Sequence, residues 1–176
     1  KKSQSPIFCL ADGTVRGILA VVIRTQGPSY RSVGATMVFT DDGSRLGSLS
    51  SGCIESDLAI HAQTVRTNGV PLVVTYGRGS PFMDIELPCG GGLDILLIPQ
   101  PTDAELDVIA SVKRDRKQLT ISISKTDGAI SAVDQTFAGT DDLFVLSLNP
   151  PLQFCIFGKG PEAANFALLA QALGYD

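Results

Sequence analysis

Residues 17–25 read Gly-Ile-Leu-Ala-Val-Val-Ile-Arg-Thr, an apolar, β-branched run of strand length. The loop Gln26 to Gly34 follows, then a second apolar run, Ala35 to Thr40, and the turn residues Asp41-Asp42-Gly43-Ser44. The pattern predicts two strands joined through a loop and then a hairpin. From Ile54 the period changes: Ile54, Leu58, His61, Ala62 and Val65 share one helical face, and Asn68-Gly69 supplies a stop, which predicts an amphipathic helix over 53–68. Val70–Tyr76 and Leu93–Pro99 read as short buried strands, separated by a long loop, Gly77 to Gly92, punctuated by glycine and proline.

Pro101-Thr102-Asp103 opens a further helix, with Thr102 as cap, Asp103 and Glu105 complementing the dipole, and a basic end at Lys113–Lys117. Leu119–Ser124 and Ala129–Val133, split by Asp127-Gly128, predict a hairpin, and Leu143–Leu148 another strand. Asn149-Pro150-Pro151 then breaks the pattern and marks a domain boundary, giving domains 1–149 and 150–176. Leu152–Phe157, the turn Gly158-Lys159-Gly160-Pro161-Glu162-Ala163 and an alanine- and leucine-rich helix form strand, glycine turn and helix. That is the opening unit of a dinucleotide-binding fold, in which Gly158 and Gly160 let a diphosphate approach the helix start. The chain reaches Asp176 before a second strand supplies an acidic ribose ligand, so the Rossmann-like part is expected to be incomplete. The fold class is therefore α/β: an N-terminal mixed sheet with helices, followed by the first βα unit of a truncated Rossmann domain.

With 176 residues, 44% hydrophobic and 18% charged, the chain is long enough to bury one core and a fragment of a second. Fourteen basic and eighteen acidic side chains give a net charge of -4, and Asp115 interrupts the one basic stretch, so nucleic acid is a poor candidate partner. No apolar run approaches the roughly 18 to 20 residues of a spanning helix, and the first residues lack a signal-peptide pattern; a soluble cytoplasmic protein is expected. Cys9, Cys53, Cys89 and Cys155 lie far apart without a C-x-x-C, which excludes a local zinc knuckle. They read as buried thiols or a reactive site. His61, the single histidine, sits in the apolar stripe of its helix, which leaves none for a serine or cysteine triad.

Three segments carry candidate chemistry. Gly47–Glu55 (GSLSSGCIE) runs into the first long helix and places Cys53 in its first turn. Unpaired amides there suit an anion, and the positive helix end favours a thiolate. In Pro88-Cys89-Gly90-Gly91-Gly92 three glycines remove every side chain, so a ligand is expected to approach that backbone; Cys155, by contrast, reads as packing within an apolar strand. The third segment, Gly27–Gly34 (GPSYRSVG), offers the planar guanidinium of Arg31, suited to phosphate. If strands 70–76 and 93–99 are neighbours, Cys53 and Cys89 face a common pocket.

Together these segments resemble the xanthine dehydrogenase and carbon monoxide dehydrogenase accessory proteins, the XdhC/CoxI-type chaperones of molybdenum cofactor. The resemblance spans Gly17 to about Pro99 and resumes at Leu152–Asp176. It rests on Gly27–Met37 (GPSYRSVGATM), Gly47–Leu58 (GSLSSGCIESDL) and Cys89–Gly91, with Tyr30 and Ser51 standing where proline and glycine are usual. It implies a cofactor site of Cys53, Cys89, Arg31, Gly52, Glu55, Gly90 and Gly91, with the two thiols as soft molybdenum-side ligands. It also implies a carrier without turnover of its own. Such a carrier protects the cofactor while a cysteine desulfurase installs the sulfido ligand, then inserts it into an apo molybdenum hydroxylase, and a homodimer is expected. The competing reading is an NAD(P)-dependent oxidoreductase using a Cys53/Cys89 redox pair.

Overall fold

A computed structural model describes residues 5–77, 90–173 and 175 of the chain. Its elements run α1 (Pro6–Ala11), β1 (Gly17–Gln26), β2 (Thr36–Thr40), β3 (Arg45–Gly47), α2 (Glu55–Asn68), β4 (Leu72–Gly77), β5 (Gly92–Ile98), α3 (Asp103–Asp115), β6 (Leu119–Ser124), β7 (Ile130–Val133), β8 (Leu143–Leu148) and α4 (Pro161–Ala172). The strands expected up to residue 148, together with α2 and α3, appear with ends shifted by a residue or two. The short helix α1 falls outside the expected elements, because six residues are too few to show a 3.6-residue period.

Five strands form one sheet in the order β3-β2-β1-β5-β4, and three form a second in the order β7-β6-β8. The α/β class is as expected, but every pairing of named strands is antiparallel where a mixed sheet was anticipated. The reason is the placement of β5. It inserts between β1 and β4, so strands running in the same direction never become neighbours. Helix α2 carries the chain from β3 on one edge to β4 on the other.

β1 reads as a continuous apolar run because the sheet is covered on both faces. Ile18, Ala20 and Val22 point into one core with Leu58, Ala62 and Val65 of α2. Leu19 and Val21 point into the other, with Ile7 and Leu10 of α1, Ile109 and Val112 of α3, and Ile121 and Ile123 of the second sheet. Alternate residues of one strand thus serve opposite layers. Helix α3 starts with a full capping box: the Thr102 hydroxyl accepts from the Glu105 amide while the Glu105 carboxylate accepts from the Thr102 amide. Helix α2 ends at Gly69 in the left-handed conformation, as Asn68-Gly69 foretold.

Beyond β8 two expectations are corrected. Residues 152–157 form no strand, since a lone βα unit has no adjacent strand among the described residues to accept its ladder bonds. Cys155 is therefore exposed and not packed in a sheet. The helix itself forms from Pro161, with Gly160 as its N-cap, and Phe154 stacks edge-on against Phe166 and Tyr175. No helix among the described residues is long and apolar enough to cross a membrane.

Candidate functional site

Antiparallel alternation decides where the three chemistry-bearing segments go. β1 ends at Gln26, β3 at Gly47 and β4 at Gly77, while β2 starts at Thr36 and β5 at Gly92. The connections 27–35, 48–54 and the one leading into β5 consequently emerge from the same end of the five-stranded sheet. Strands β4 and β5 are indeed neighbours. Cys89 lies outside the described residues, and with it the expected approach of Cys53 and Cys89.

The 48–54 connection is built around Glu55, the first residue of α2. Its side chain is almost wholly buried, and both carboxylate oxygens are turned back into the loop. Oε1 accepts from the amides of Leu49 at 3.1 Å and Ser50 at 2.8 Å and from the Ser48 hydroxyl at 3.1 Å. Oε2 accepts from the Ser50 hydroxyl at 2.6 Å and the Ile54 amide at 3.3 Å. The Ser50 oxygen in turn accepts from the amides of Gly52 at 3.1 Å and Cys53 at 3.0 Å. Burial pushes the Glu55 carboxyl up, but the Ser50 hydroxyl and the converging amides outweigh it and hold the group at about 2. Five amides of the loop before α2 are thus taken by Glu55 and Ser50, and those of Gly52, Cys53 and Ile54 are not free for an anion as the sequence reading expected. The helix also begins at Glu55 rather than 53, so Cys53 stands on the turn before it. Its side chain is exposed, with the Ser51 hydroxyl 3.4 Å from the sulfur.

The glycines entering β5 are explained differently from the sequence reading. A Cβ on Gly91 would lie 2.0 Å from the Pro28 carbonyl oxygen and 2.8 Å from that of Gln26; one on Gly77 would lie 2.1 Å from the Gly91 oxygen. The side chain is missing at 91 because the neighbouring backbone of the 27–34 loop fills its place. Gly90 faces open space. Arg31 is exposed on that 27–34 loop, which is closed by the Gly34 amide on the Val22 carbonyl at 2.8 Å and the Ser29 hydroxyl on the Arg31 carbonyl at 2.7 Å.

Two polar constellations at this end escaped the sequence reading. Asp94 of β5 accepts from Arg24 Nε of β1 at 2.5 Å and from the Thr75 hydroxyl of β4 at 2.9 Å, tying three strands in register. A carboxylate inside an otherwise apolar strand was its only signal. Asp57, one turn into α2, accepts from the fully buried Tyr76 hydroxyl at 2.5 Å and has His61 Nε2 at 3.4 Å. Burial, then the bond to Asp57, drives the Tyr76 hydroxyl pKa far upward, so it remains a donor. His61 is thus half-buried against a carboxylate and not part of the apolar core. Among the described residues no cluster of three His, Cys, Asp or Glu is placed to hold a metal ion. Gly158 and Gly160 stand before α4, and a Cβ on Gly158 would come within 3.1 Å of that of Ala163, as a tight glycine turn requires.

Comparison with known proteins gives concordant results. The model of the XdhC and CoxI family matches residues 10–77, the stretch from the end of α1 through β4. The molybdenum cofactor insertion chaperone PaoD of Escherichia coli K12 is 31% identical over 161 residues, 90% of this chain and 51% of PaoD. A probable xanthine dehydrogenase component of Bacillus subtilis 168 is 22% identical, over 95% of this chain and 60% of that protein. A crystal structure of a xanthine dehydrogenase from Bacillus halodurans superposes with a TM-score of 0.74 at 25% identity, covering 98% of this chain and 61% of that one. The chain thus spans only 51% to 60% of the length of the curated relatives it matches. Residues 10–77 thus match the XdhC and CoxI family model, and the similarity to PaoD extends over most of the chain.

Proposed function

We propose that this chain is the cargo-handling part of a molybdenum cofactor chaperone, which holds the cofactor during sulfuration and inserts it into a xanthine dehydrogenase-type hydroxylase. One observation carries the reading: the topology gathers the Arg31 loop, the Cys53 turn and the glycine entry to β5 at a single end of one sheet, with Cys53 and Arg31 both exposed. The chemistry of that set suits the cargo, a pterin dithiolene with a metal and a phosphate tail. An exposed thiol is a soft donor for the metal side, a guanidinium suits the phosphate, and Gly90 leaves open backbone. Because the amides of Gly52, Cys53 and Ile54 serve Ser50 and Glu55, we assign the phosphate to Arg31. Cys53, joined by Cys89 in this reading, is the metal-side ligand.

In the same proposal residues 1–149 handle the cofactor and 150–176 open a dinucleotide-binding domain, with Gly158 and Gly160 placed for a diphosphate. The partners are a cysteine desulfurase, an apo hydroxylase and a second copy of the chain. The protein acts as a carrier.

The test is cofactor content. The chain produced in cells making molybdenum cofactor and purified without oxygen should release the fluorescent oxidised pterin, and Cys53→Ala should lower the retained amount about tenfold or more with its unfolding midpoint unchanged. Equal retention by the parent and Cys53→Ala would refute the assigned site, and absence of pterin from both would refute the cargo.

A further inference from the structure

The carboxylate of Glu55 turns away from its own helix and into the loop that precedes it, where it gathers the amides of Leu49, Ser50 and Ile54. Two hydrogen bonds in series connect it to the backbone of the thiol residue: the Cys53 amide donates to the Ser50 oxygen, and the Ser50 hydroxyl donates to Glu55 Oε2. Its other oxygen fixes the far side of the loop through Leu49 and Ser50. Leu49 and Ile54 anchor the two ends of the loop in the core, but the turn between them has no packing of its own. Gly52 has a left-handed φ of 104° and no atom within 4 Å of where a Cβ would be, and residues 51–53 are exposed. A turn without packing keeps one shape only through its hydrogen bonds.

We infer that Glu55 is the positioning residue of the Cys53 turn: it serves as a built-in anion that sets where the thiol stands, and it contacts the protein's own amides instead of a ligand. The inference stands independently of the cargo, since the hydrogen bonds it rests on lie within the chain. A carboxylate has only acceptors, so all five of its donors are matched. An amide at 55 matches fewer of them. If its oxygen stays on Leu49 and Ser50, its NH2 group faces the Ser50 oxygen, which already accepts two amides.

The experiment is amide hydrogen exchange on the 176-residue chain and its variants. Glu55→Ala should speed exchange at Leu49, Ser50, Gly52, Cys53 and Ile54 by about tenfold or more while Ala20, Val38 and Leu96 in the sheet keep the parent rate. Added acetate should slow the loop amides again in Glu55→Ala and leave the parent unaffected. Glu55→Gln should release Gly52, Cys53 and Ile54 but spare Leu49 and Ser50. Unchanged loop exchange in Glu55→Ala, or a loop loss that acetate does not reverse, overturns the inference. Should Glu55→Ala unfold the whole chain, Glu55→Gln decides: release of Gly52, Cys53 and Ile54 with Leu49 and Ser50 still protected sustains the inference, and unchanged exchange at all five overturns it.

Discussion

Replacing Gly91 with alanine separates two uses of the glycine run before β5, close backbone packing and room for a ligand. The new Cβ would sit 2.0 Å from the Pro28 oxygen and 2.8 Å from the Gln26 oxygen. Carbon and oxygen do not pack closer than about 3.2 Å, so the strands must part by roughly 1 Å. What parts is backbone, at the Gln26–Gly92 and Gly77–Gly92 pairs, and no flexible side chain can give way. Overpacking of this kind costs about 1 to 3 kcal/mol, and each ladder hydrogen bond lost adds about 1 kcal/mol, so a loss of about 3 kcal/mol is expected. For a chain of this size that lowers Tm by roughly 6 to 12 °C. Gly90→Ala is the control: its Cβ meets nothing, and only the φ of 67° opposes it, at about 1 kcal/mol or roughly 2 to 4 °C. Thermal unfolding of both variants, with pterin content measured alongside, gives the answer. The expected pattern is a large loss of stability for Gly91→Ala, and for Gly90→Ala a small one accompanied by weakened cofactor retention. A Gly91→Ala chain as stable as the parent would refute the argument that the Pro28 backbone occupies that space.

Three further outcomes follow from the same geometry. Glu55 titrates at about 2 in the fold against an ordinary value of 4.5, so its stabilisation, on the order of 2 to 3 kcal/mol, is complete above about pH 4.5 and lost as pH falls towards 2; the urea-midpoint gap between parent and Glu55→Gln should narrow across that window, and a gap independent of pH would contradict the assignment. Tyr76→Phe removes a buried donor from a partly exposed Asp57 and should cost about 1.5 to 2 kcal/mol by urea unfolding; an unchanged midpoint would show that the 2.5 Å bond contributes nothing. Cys53 and Cys155 should be carboxymethylated in the folded chain, while Cys9 resists until unfolding, because burial and then Asp12 raise its pKa; peptide mapping that finds Cys9 modified as fast as Cys53 would overturn the packing of α1.

Much of the fold was legible because its signals are local. The 17–25 run, the shift to a 3.6-residue period at Ile54, the Asn68-Gly69 stop and the Thr102 cap depend on residues a few positions apart, where backbone preference and periodicity act. The same locality made Cys53 and Arg31 candidates, since a thiol and a guanidinium in glycine-bounded loops declare their chemistry without any partner. Residues 152–157 show the limit. Their apolar pattern is that of a strand, but a strand exists only by pairing, and no partner strand lies beside them among the described residues.

Tertiary structure alone decided the remainder. The place of β5 between β1 and β4 makes the sheet antiparallel and brings three loops, separated by tens of residues, to one end. The Gly91 site is shaped by a carbonyl more than sixty positions earlier in the chain. Whether the loop before α2 offers its amides to a ligand or spends them at home was open in the sequence, since Glu55 near a helix N-terminus is compatible with both. The fold closes the question by burying the carboxylate, because a charge removed from water must be matched by every donor within reach, and here those donors are the loop's own amides and hydroxyls.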